Sequence, residues 1–276
     1  MSDLPGRKRP TALITGASGG IGRAFAVFLA EKGYDLILTA RREEQLREVK
    51  EITEVHGGRA HIFSADLSVP EQRDAFIAFA DASCDCPDLV INNAGFGVYD
   101  YFVDQPWELV DGMLQLNVMA SFKLTHHYLQ RMKAVGGGHI INIGSVAGQL
   151  PMQGVAAYAA TKAAVHSLST SLWREARRSN VKISVIAAGP IKTDFFAVSR
   201  ENAGGLNIPV ERFAVSQERV LSAFWSLIRR PRRVVYVPWI MRAAPWVEAI
   251  LGIVFDLAGP LVLEYQLRRK RRSENW

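Results

Sequence analysis

A tyrosine and a lysine four residues apart are the first groups in this chain that could do acid–base chemistry. Tyr158 and Lys162 stand in a segment with a helical pattern, so both side chains project from one helix face. A tyrosine with a pKa near 10 is a poor acid–base catalyst at neutral pH, but a neighbouring ammonium group favours the phenolate and lowers that pKa. The alternative is an ordinary surface lysine beside a half-buried tyrosine, because this spacing is common.

A serine stands where a substrate oxygen could be held. Ser145 follows the apolar run 139–144, and the carboxyl ends of parallel strands are where open α/β sheets bind ligands. Its hydroxyl could hydrogen-bond a substrate carbonyl oxygen and stabilise the alkoxide character of the transition state. The alternative is a serine that only satisfies a backbone amide of the following loop.

A glycine-rich turn follows the first apolar run and could meet phosphate. It reads Thr15-Gly16-Ala17-Ser18-Gly19-Gly20-Ile21-Gly22. Glycines let the backbone approach a pyrophosphate closely, and the N–H groups at the start of the next helix point at the anion. A tight strand-to-helix turn that binds nothing is the alternative. The spacing is T-G-x-x-x-G-x-G rather than G-x-G-x-x-G. The residues predicted to contact a nucleotide here are Gly16, Ser18, Gly20, Ile21 and Gly22.

Two arginines at the end of the second apolar run bear on which nucleotide would bind. A ribose 2′-hydroxyl favours an acidic residue about 20 positions after the glycine turn, whereas a 2′-phosphate favours an arginine. Arg41 and Arg42 occupy that edge, and Asp35 lies at the other end of the strand, about 13 Å away. A planar guanidinium can pair with the phosphate, so NADP is predicted over NAD. The alternative is that Glu43 and Glu44 pair with these arginines.

These groups require a scaffold that brings strand ends together. Apolar runs alternate with helical patterns over the first 190 residues, and runs this continuously apolar are buried on both faces. The pattern predicts a doubly wound α/β fold of the Rossmann type, a mostly parallel sheet of about seven strands with helices on both faces. The predicted strands are 11–15, 35–40, 60–65, 88–92, 139–144, 181–187 and 233–238, and the predicted helices include 43–55, one from about Pro70, 106–133 and 155–178.

Several of these motifs together resemble the short-chain dehydrogenase/reductase family over residues 10–240. The glycine turn is similar to its cofactor turn, and 92–95 (N-N-A-G) is similar to its next motif. Asn117 in LQLNVMAS, Ser145 in NIGSVAG and the Y-A-A-T-K of 158–162 occur in the family's order and spacing. Gly189-Pro190 followed by Thr193 resembles the family's P-G-x-x-x-T segment with its first two residues exchanged.

The resemblance implies a role for each matching residue. It makes Tyr158 the general acid in reduction, with Ser145 orienting the substrate, and gives Lys162 the nicotinamide ribose hydroxyls as well. It implies that Asn117 anchors a water-linked proton relay, although a mid-helix asparagine could equally cap a local kink. Asp66 resembles an adenine-contacting aspartate, with Leu67 beside it, but could also cap the helix near Pro70. The remaining implied cofactor contacts are Asn93, Ala94, Gly95, Pro190 and Thr193. Residues 191–212 match the family's variable lid, and a homo-oligomer, a dimer or tetramer, is implied.

Composition and charge exclude several other classes. The chain has 276 residues, 49% of them hydrophobic, so it can bury a sizeable core. Its net charge of +6 comes from two terminal blocks, at 7–9 and 268–272, which argues against nucleic-acid binding. Cys84 and Cys86 are too few for a structural zinc site, and the adjacent His126 and His127 cannot face one metal from a helix, so no metal is predicted. With no apolar signal segment at the start, we expect a cytoplasmic protein.

The last part of the chain departs most from the family pattern. We predict a basic arm over 1–10, a catalytic domain over 11–238 and an amphipathic, basic extension over 239–276. Arg242, Glu248 and Asp256 interrupt its apolar residues, so no stretch of 18 uncharged apolar residues could span a bilayer. Glu248, Gly252 and Asp256 form a narrow polar stripe. Either the segment lies on a membrane surface, or it docks on the protein's own substrate pocket or a partner subunit.

The sequence therefore predicts an NADP(H)-dependent carbonyl reductase, reversibly an alcohol dehydrogenase. The substrate would be a small ketone, aldehyde or alcohol, and the aromatic lid and apolar extension favour a hydrophobic or lipid-like one. The alternative is a nucleotide-binding sensor or scaffold without turnover, and the intact set of Ser145, Tyr158 and Lys162 argues against it. A basic adaptor for nucleic acid or membrane is a third hypothesis.

Overall fold

One parallel sheet of seven strands forms the centre of the molecule. The computed structural model describes residues 9–191, 214–254, 256 and 257. The strand order is β3-β2-β1-β4-β5-β6-β7, and every pairing between neighbours is parallel. The strands are β1 (Thr11–Thr15), β2 (Asp35–Ala40), β3 (Ala60–Ser64), β4 (Leu89–Asn92), β5 (Gly138–Ser145), β6 (Val181–Ala188) and β7 (Val234–Val237). The predicted doubly wound parallel sheet is confirmed.

Helices cover both faces because successive strand residues point to opposite sides. Ala12 and Ile14 of β1 pack into one core cluster, and Leu13 between them packs into the other. The helices are α1 (Gly20–Glu31), α2 (Glu43–Glu54), α3 (Pro70–Ser83), α4 (Trp107–Met113), α5 (Ser121–Val135), α6 (Ala156–Glu175), α7 (Gln217–Arg229) and α8 (244–254, continuing at 256–257). Residues of α1, α2 and α7 line the first core, and those of α3 and α5 line the second.

The strand order reverses between β1 and β4, and this fixes where a ligand can bind. From β1 the chain first builds outward to β2 and β3, then returns to place β4 on the other side of β1. The loops after β1 and β4 therefore diverge and leave a crevice at the carboxyl ends of the strands. The glycine-rich turn follows β1 and the N-N-A-G segment ends β4, so the topology brings the two motifs to one crevice.

The long helix predicted over 106–133 is not a uniform α-helix. Between α4 and α5 the residues Leu114–Ala120 form a π-helical segment, and Asn117 is at its centre. Single π turns of this kind are frequent at functional sites. The predicted helix over 155–178 also ends earlier, because α6 stops at Glu175 and Ala176–Arg178 form a 3-10 turn.

The chain after β7 stays close to the strand ends. A 3-10 segment, Trp239–Ala243, leads into α8. Ala244 is buried, whereas most of the following apolar side chains are exposed. Within the described part of the chain, no helix combines the length and the apolar character needed to cross a bilayer. The basic blocks at 7–8 and 268–272, Thr193 and all but the first residue of the predicted lid lie outside the described residues.

Candidate active site

The glycine turn after β1 is a tight cradle in which two positions leave no room for a side chain. Gly16 has a φ of +68°, and a Cβ there would lie 2.9 Å from the Cα of Ala94. A Cβ at Gly22 would collide with the backbone oxygen of Gly16 and would lie 2.5 Å from Asn93 Nδ2. Gly20 opens α1 with a φ of +53°. The turn therefore has no side chain at these positions, so a phosphate can approach its backbone where α1 begins.

Asn93 and Ala94 are attached directly to this cradle through Thr15. The Thr15 hydroxyl accepts hydrogen bonds from the backbone N–H groups of Asn93, at 3.0 Å, and Ala94, at 2.9 Å. Asn93 Nδ2 in turn donates to the Thr15 backbone oxygen at 2.9 Å. Thr15 did not figure among the predicted site residues, although it opens the quoted motif. A hydroxyl at the end of a buried strand, facing two loop amides, was the available signal.

Arg41 and Arg42 both border the cleft, but each has a partner other than the glutamates that sequence reasoning offered. Arg42 Nη2 donates to the Ser18 hydroxyl at 3.3 Å, so the guanidinium lies across the glycine turn. Arg41 is exposed, and its Nη1 lies 3.8 Å from Asp66 Oδ2. Glu43 pairs instead with Arg47, at 2.5 Å. The suggested pairing of Glu43 with these arginines is therefore wrong, because one helical turn along α2 offers it a closer cation.

Asp66 does not cap the helix that begins at Pro70. Its Oδ1 accepts hydrogen bonds from the N–H of Ser68, at 2.9 Å, and from the Ser68 hydroxyl, at 2.6 Å. The residue at the cap position of α3 is Val69, whose side chain makes no cap hydrogen bond. That alternative is wrong because a tight turn over 66–68 already uses the carboxylate. Asp66 and Leu67 both line the cleft.

Ser145 and Tyr158 form a hydrogen-bonded pair at the carboxyl end of β5. A side-chain hydrogen bond joins them, and the Ser145 hydroxyl also accepts the N–H of Ala147 at 3.1 Å. Burial raises the pKa of Tyr158 to about 12, and the bond with Ser145 opposes that rise. The phenol is therefore fully protonated at neutral pH. The loop-amide role considered for Ser145 is present together with its contact with the tyrosine.

Lys162 is buried beneath the tyrosine. Its Nζ donates to the backbone oxygen of Ile143 at 3.0 Å and lies 5.8 Å from the centre of the Tyr158 ring. Burial lowers the pKa of Lys162 to about 8. The net pKa of Tyr158 nevertheless lies above its ordinary value, because desolvation of the phenol outweighs the influences that favour the phenolate.

Asn117 fixes the loop that follows β4. Its Nδ2 donates to the Phe96 backbone oxygen at 2.8 Å and to the Thr161 hydroxyl at 3.0 Å, and its Oδ1 accepts the Phe96 N–H at 3.0 Å. The residue is 1% exposed. It thus connects the π-helical segment with the 95–96 loop and with α6, one position before Lys162. Such a set of bonds also explains why there is no room for a side chain at Gly95, where a Cβ would lie 2.8 Å from Asn117 Oδ1.

One cleft of about 750 Å³ connects these groups. Gly22 and Asn117 do not line the cleft, but each contacts residues that do. The predicted residues that line it are Gly16, Ser18, Gly20, Ile21, Arg41, Arg42, Asp66, Leu67, Asn93, Ala94, Gly95, Ser145, Tyr158, Lys162 and Pro190.

Sequence reasoning missed other residues of the cleft wall, Tyr99, Met152 and Met241 among them. Tyr99 places its ring edge-on to Tyr158, with centroids 6.3 Å apart, while Met152 and Met241 line the same cleft. Burial raises the pKa of Tyr99. Nothing in the spacing of Met241 indicated this position, since it lies more than 50 residues beyond Pro190 and only the fold returns it to the site.

The histidine and cysteine pairs take structural positions. His127 Nε2 lies 2.9 Å from Asp81 Oδ2, and His126 is exposed beside Gln130. Cys84 and Cys86 are free thiols. Among the described residues no group of three or more His, Cys, Asp or Glu side chains could hold a metal ion.

Fold and cleft together define an α/β protein of the Rossmann type, with a nucleotide cradle beside a serine–tyrosine–lysine set. The sequence profile of the short chain dehydrogenase family matches residues 10–204. The chain belongs to that family.

Relatives and solved structures agree with this assignment. The chain is 33% identical over 193 residues to "Probable oxidoreductase EphD" of Mycobacterium tuberculosis, which covers 70% of this chain but 33% of that protein. It therefore spans about a third of the length of that relative. A short-chain dehydrogenase from Sphingobium yanoikuyae in complex with NADPH is 29% identical, with a TM-score of 0.77 over 90% of this chain and 94% of that one. A bulky-bulky ketone specific alcohol dehydrogenase from Comamonas testosteroni is 27% identical, with a TM-score of 0.74 over 89% and 93%.

Proposed function

We propose that this protein is an oxidoreductase that reduces a hydrophobic ketone or aldehyde to an alcohol, reversibly, with NADPH. The observation that carries the proposal is the hydrogen-bonded pair of Ser145 and Tyr158 above the buried Lys162, in the same cleft as the glycine cradle. A carbonyl oxygen placed against the two hydroxyls would meet one donor that is fully protonated at neutral pH. That is the arrangement which a carbonyl reduction needs at the oxygen.

The residues present fit a dinucleotide. The cradle that a Cβ at Gly16 or Gly22 would fill suits a pyrophosphate, and Ser18, Gly20 and Ile21 complete it. Asp66 and Leu67 line the part suited to adenine, and Asn93, Ala94, Gly95 and Pro190 line the rest. Thr193, proposed for the same role, is outside the described residues. When bound, the nicotinamide group supplies or takes up the hydride.

Each residue at the reacting end has its own task in this proposal. Ser145 orients the substrate oxygen, and Tyr158 transfers the proton at its Oη. Lys162, besides contacting the ribose hydroxyls, keeps a positive charge under the phenol and favours its anionic form during the transfer. Asn117 positions the 95–96 loop, and its relay role stays a prediction.

NADP is the proposed cofactor because cations border the ribose side of the cleft. No carboxylate stands at that end of β2. Arg42 lies across Ser18, and Arg41 is free to turn from Asp66, 3.8 Å away. Asp35 is at the opposite end of β2, where it accepts the Arg59 N–H. The NADPH complex of the Sphingobium yanoikuyae relative supports the same choice.

A hydrophobic substrate is proposed from the outer part of the cleft. Tyr99, Leu150, Met152, Val155 and Met241 line it, so its wall is mostly apolar. A ketone flanked by bulky groups is named for the Comamonas testosteroni relative, which supports this class of substrate.

The same proposal divides the chain into functional parts. Residues 11–238 form the catalytic domain, 191–212 its lid and 239–276 an extension, with 1–10 as a basic arm. The position of Met241 in the cleft wall supports an extension that borders the substrate site. A cytoplasmic location and a homo-oligomer stay predictions.

The experiment is NADPH oxidation over ketones and aldehydes of graded chain length, with Tyr158→Phe as the test variant. We expect turnover that rises with chain length and falls by about 10²- to 10⁴-fold in the variant, because the proton donor is gone. NADPH binding, read from its fluorescence, should be unchanged. Tyr101→Phe, outside the cleft, is the matched control and should keep full turnover.

Retained turnover in Tyr158→Phe would contradict the assigned role. Tight NADPH binding with no turnover on any carbonyl compound would instead favour the nucleotide-binding sensor.

A further inference from the structure

Helix α8 exposes its apolar side to solvent, which is the reverse of what a surface helix normally does. Its apolar residues Trp246, Ile250, Ile253, Val254 and Leu257 are 71%, 73%, 75%, 54% and 72% exposed. At about 100° per residue they fall on one stripe about 100° wide. Glu248 and Gly252, on the opposite side of the helix, are half-buried. A surface helix normally buries the apolar stripe and exposes the polar one.

This orientation is fixed by contacts at the base of the helix. Ala244 is buried, and Met241, three residues earlier, lines the cleft. Glu248 Oε2 is shielded from water, whereas Asp256, farther along the same polar stripe, is exposed. The buried Ala244 thus anchors the start of α8, and the apolar stripe stays uncovered in the described structure.

The 3-10 segment that precedes α8 also exposes apolar side chains. Trp239 is 72% exposed and Ile240 60% exposed, with the Arg242 guanidinium 5.9 Å from the Trp239 ring. Tryptophan and arginine next to exposed aliphatic side chains are typical of surfaces that meet the boundary of lipid headgroups and acyl chains. We call residues 239, 240, 246, 250, 253, 254 and 257 the outer apolar face.

The sequence supplies a strong positive charge close to this face. Residues 268–272 read R-R-K-R-R, eleven positions after Leu257. Eleven residues span at most about 40 Å, so the first of these cations lies within that distance of Leu257. Two copies of the chain meeting through this face would bring two such blocks near each other. Anionic lipid headgroups would attract the block instead.

We propose that the outer apolar face docks on the surface of an anionic membrane, with α8 lying in the interface rather than crossing it. The apolar stripe enters the boundary of the acyl chains, and the basic block binds the headgroups. Because Met241 lines the cleft, docking brings the cleft close to the membrane. The proposal does not rest on the proposed reaction.

Vesicle flotation of the full chain tests the proposal. We expect it to float with phosphatidylcholine vesicles that contain phosphatidylserine, and much less with phosphatidylcholine alone. Ile250→Glu with Ile253→Glu should lower the bound fraction about tenfold or more, because two charges would have to enter the acyl region. Val55→Glu, at a residue 84% exposed just after α2, is the matched control and should float like the parent chain.

Thermal unfolding of the three proteins checks that they are equally folded. Replacing 268–272 by glutamine should remove the dependence on phosphatidylserine. A parent chain that stays in the aqueous fraction, or a double variant that floats equally well, would overturn the proposal. So would a dimer in sedimentation velocity that the double variant dissociates while neither protein floats, since the face would then belong to a second copy.

Discussion

At the scale of single residues, the site holds a positive charge where water has little access. Lys162 is 6% exposed, and its ammonium group donates to Ile143 O at 3.0 Å. Lowering its pKa from 10.5 to about 8 corresponds to a cost of about 3 kcal/mol in the free energy of unfolding. Such a cost is typical of catalytic groups, whose environments are arranged for chemistry rather than stability.

Lys162→Met should therefore make the protein more stable while it abolishes turnover. Below the folded-state pKa of about 8 the variant should gain about 2 to 3 kcal/mol in the free energy of unfolding. Between pH 8 and 10.5 the unfolded chain binds the proton that the folded one has lost, so wild-type stability rises with pH and the gain disappears. Denaturant unfolding of both proteins across this range measures the difference.

The exposed Lys133→Met is the control for that series, and it should stay within about 0.5 kcal/mol of the parent at every pH. A Lys162→Met protein that is less stable at neutral pH, or a difference that does not change with pH, would show that burial does not dominate at this lysine.

In the proposed function, the two arginines that border the cleft just after β2 select the cofactor. Arg41→Ala and Arg42→Ala should each raise the KM for NADPH about tenfold or more, since a charge-assisted bond to the 2′-phosphate contributes about 1.5 to 3 kcal/mol. The KM for NADH should change little. Arg47→Ala, which affects an arginine paired with Glu43 outside the cleft, is the control. Equal losses for both cofactors would contradict a 2′-phosphate contact.

At the scale of elements, the contact of α1 with the turn before it depends on a missing side chain. Gly22 lies in the first turn of α1 against the Gly16 backbone oxygen and Asn93 Nδ2. An alanine there cannot be accommodated by moving a flexible side chain, because the oxygen it meets belongs to the backbone. The start of α1 would have to shift away from β1, and the phosphate cradle would open.

Gly22→Ala should therefore weaken NADPH binding about tenfold or more and cost about 1 to 3 kcal/mol of stability through overpacking. Fluorescence titration and thermal unfolding measure the two effects. Gly252→Ala in α8 is the opposite case, because its Cβ would lie 3.5 Å from Glu248 Oε1, an ordinary contact. That control should keep full binding and gain up to about 1 kcal/mol. Normal NADPH affinity in Gly22→Ala would contradict the proposal that this glycine turn binds the phosphates of the cofactor.

At the scale of the whole molecule, a buried polar network connects the sheet with two helices of the second layer. Asn92 Nδ2 of β4 donates to Asn142 Oδ1 of β5 at 2.7 Å and to the Thr125 hydroxyl of α5 at 3.0 Å. Asn142 Nδ2 donates to the Ser169 hydroxyl of α6 at 2.9 Å. The network therefore fixes β4, which leads into the 93–95 loop of the cleft, relative to the elements that carry Ser145 and Tyr158.

Asn142→Leu should cost about 2 to 3 kcal/mol, because it removes the bonds to Asn92 of β4 and Ser169 of α6 and the bond that the Thr125 hydroxyl of α5 donates to Asn142 Oδ1 at 3.4 Å. Denaturant unfolding gives the value. Asn180→Ala, which removes an exposed amide bond to Gly136 O, should cost less than about 1 kcal/mol. Equal costs for the two variants would mean that water replaces the lost bonds in the core.

The sequence by itself determined the sheet and most of the cleft. All seven predicted strands lie within two residues of those found, because runs such as TALIT are buried on both faces and leave no alternative to a central parallel strand. The set of Ser145, Tyr158 and Lys162 was predicted from motifs that resemble the family's in order and spacing, and the end of β5 and the first two turns of α6 bring the three residues to one cleft.

Only the tertiary structure decided the environments and the distant contacts. The pKa of Tyr158 is raised because its side chain is buried, next to the Tyr99 ring. No spacing within Y-A-A-T-K encodes that burial. The partners of Arg41, Arg42 and Asp66 were set by competition among neighbours that meet only after folding. Met241 reaches the cleft, and α8 exposes its apolar face, because the chain returns past β7. These are long-range consequences of packing, whereas the strands and the order of the motifs are local properties of the chain.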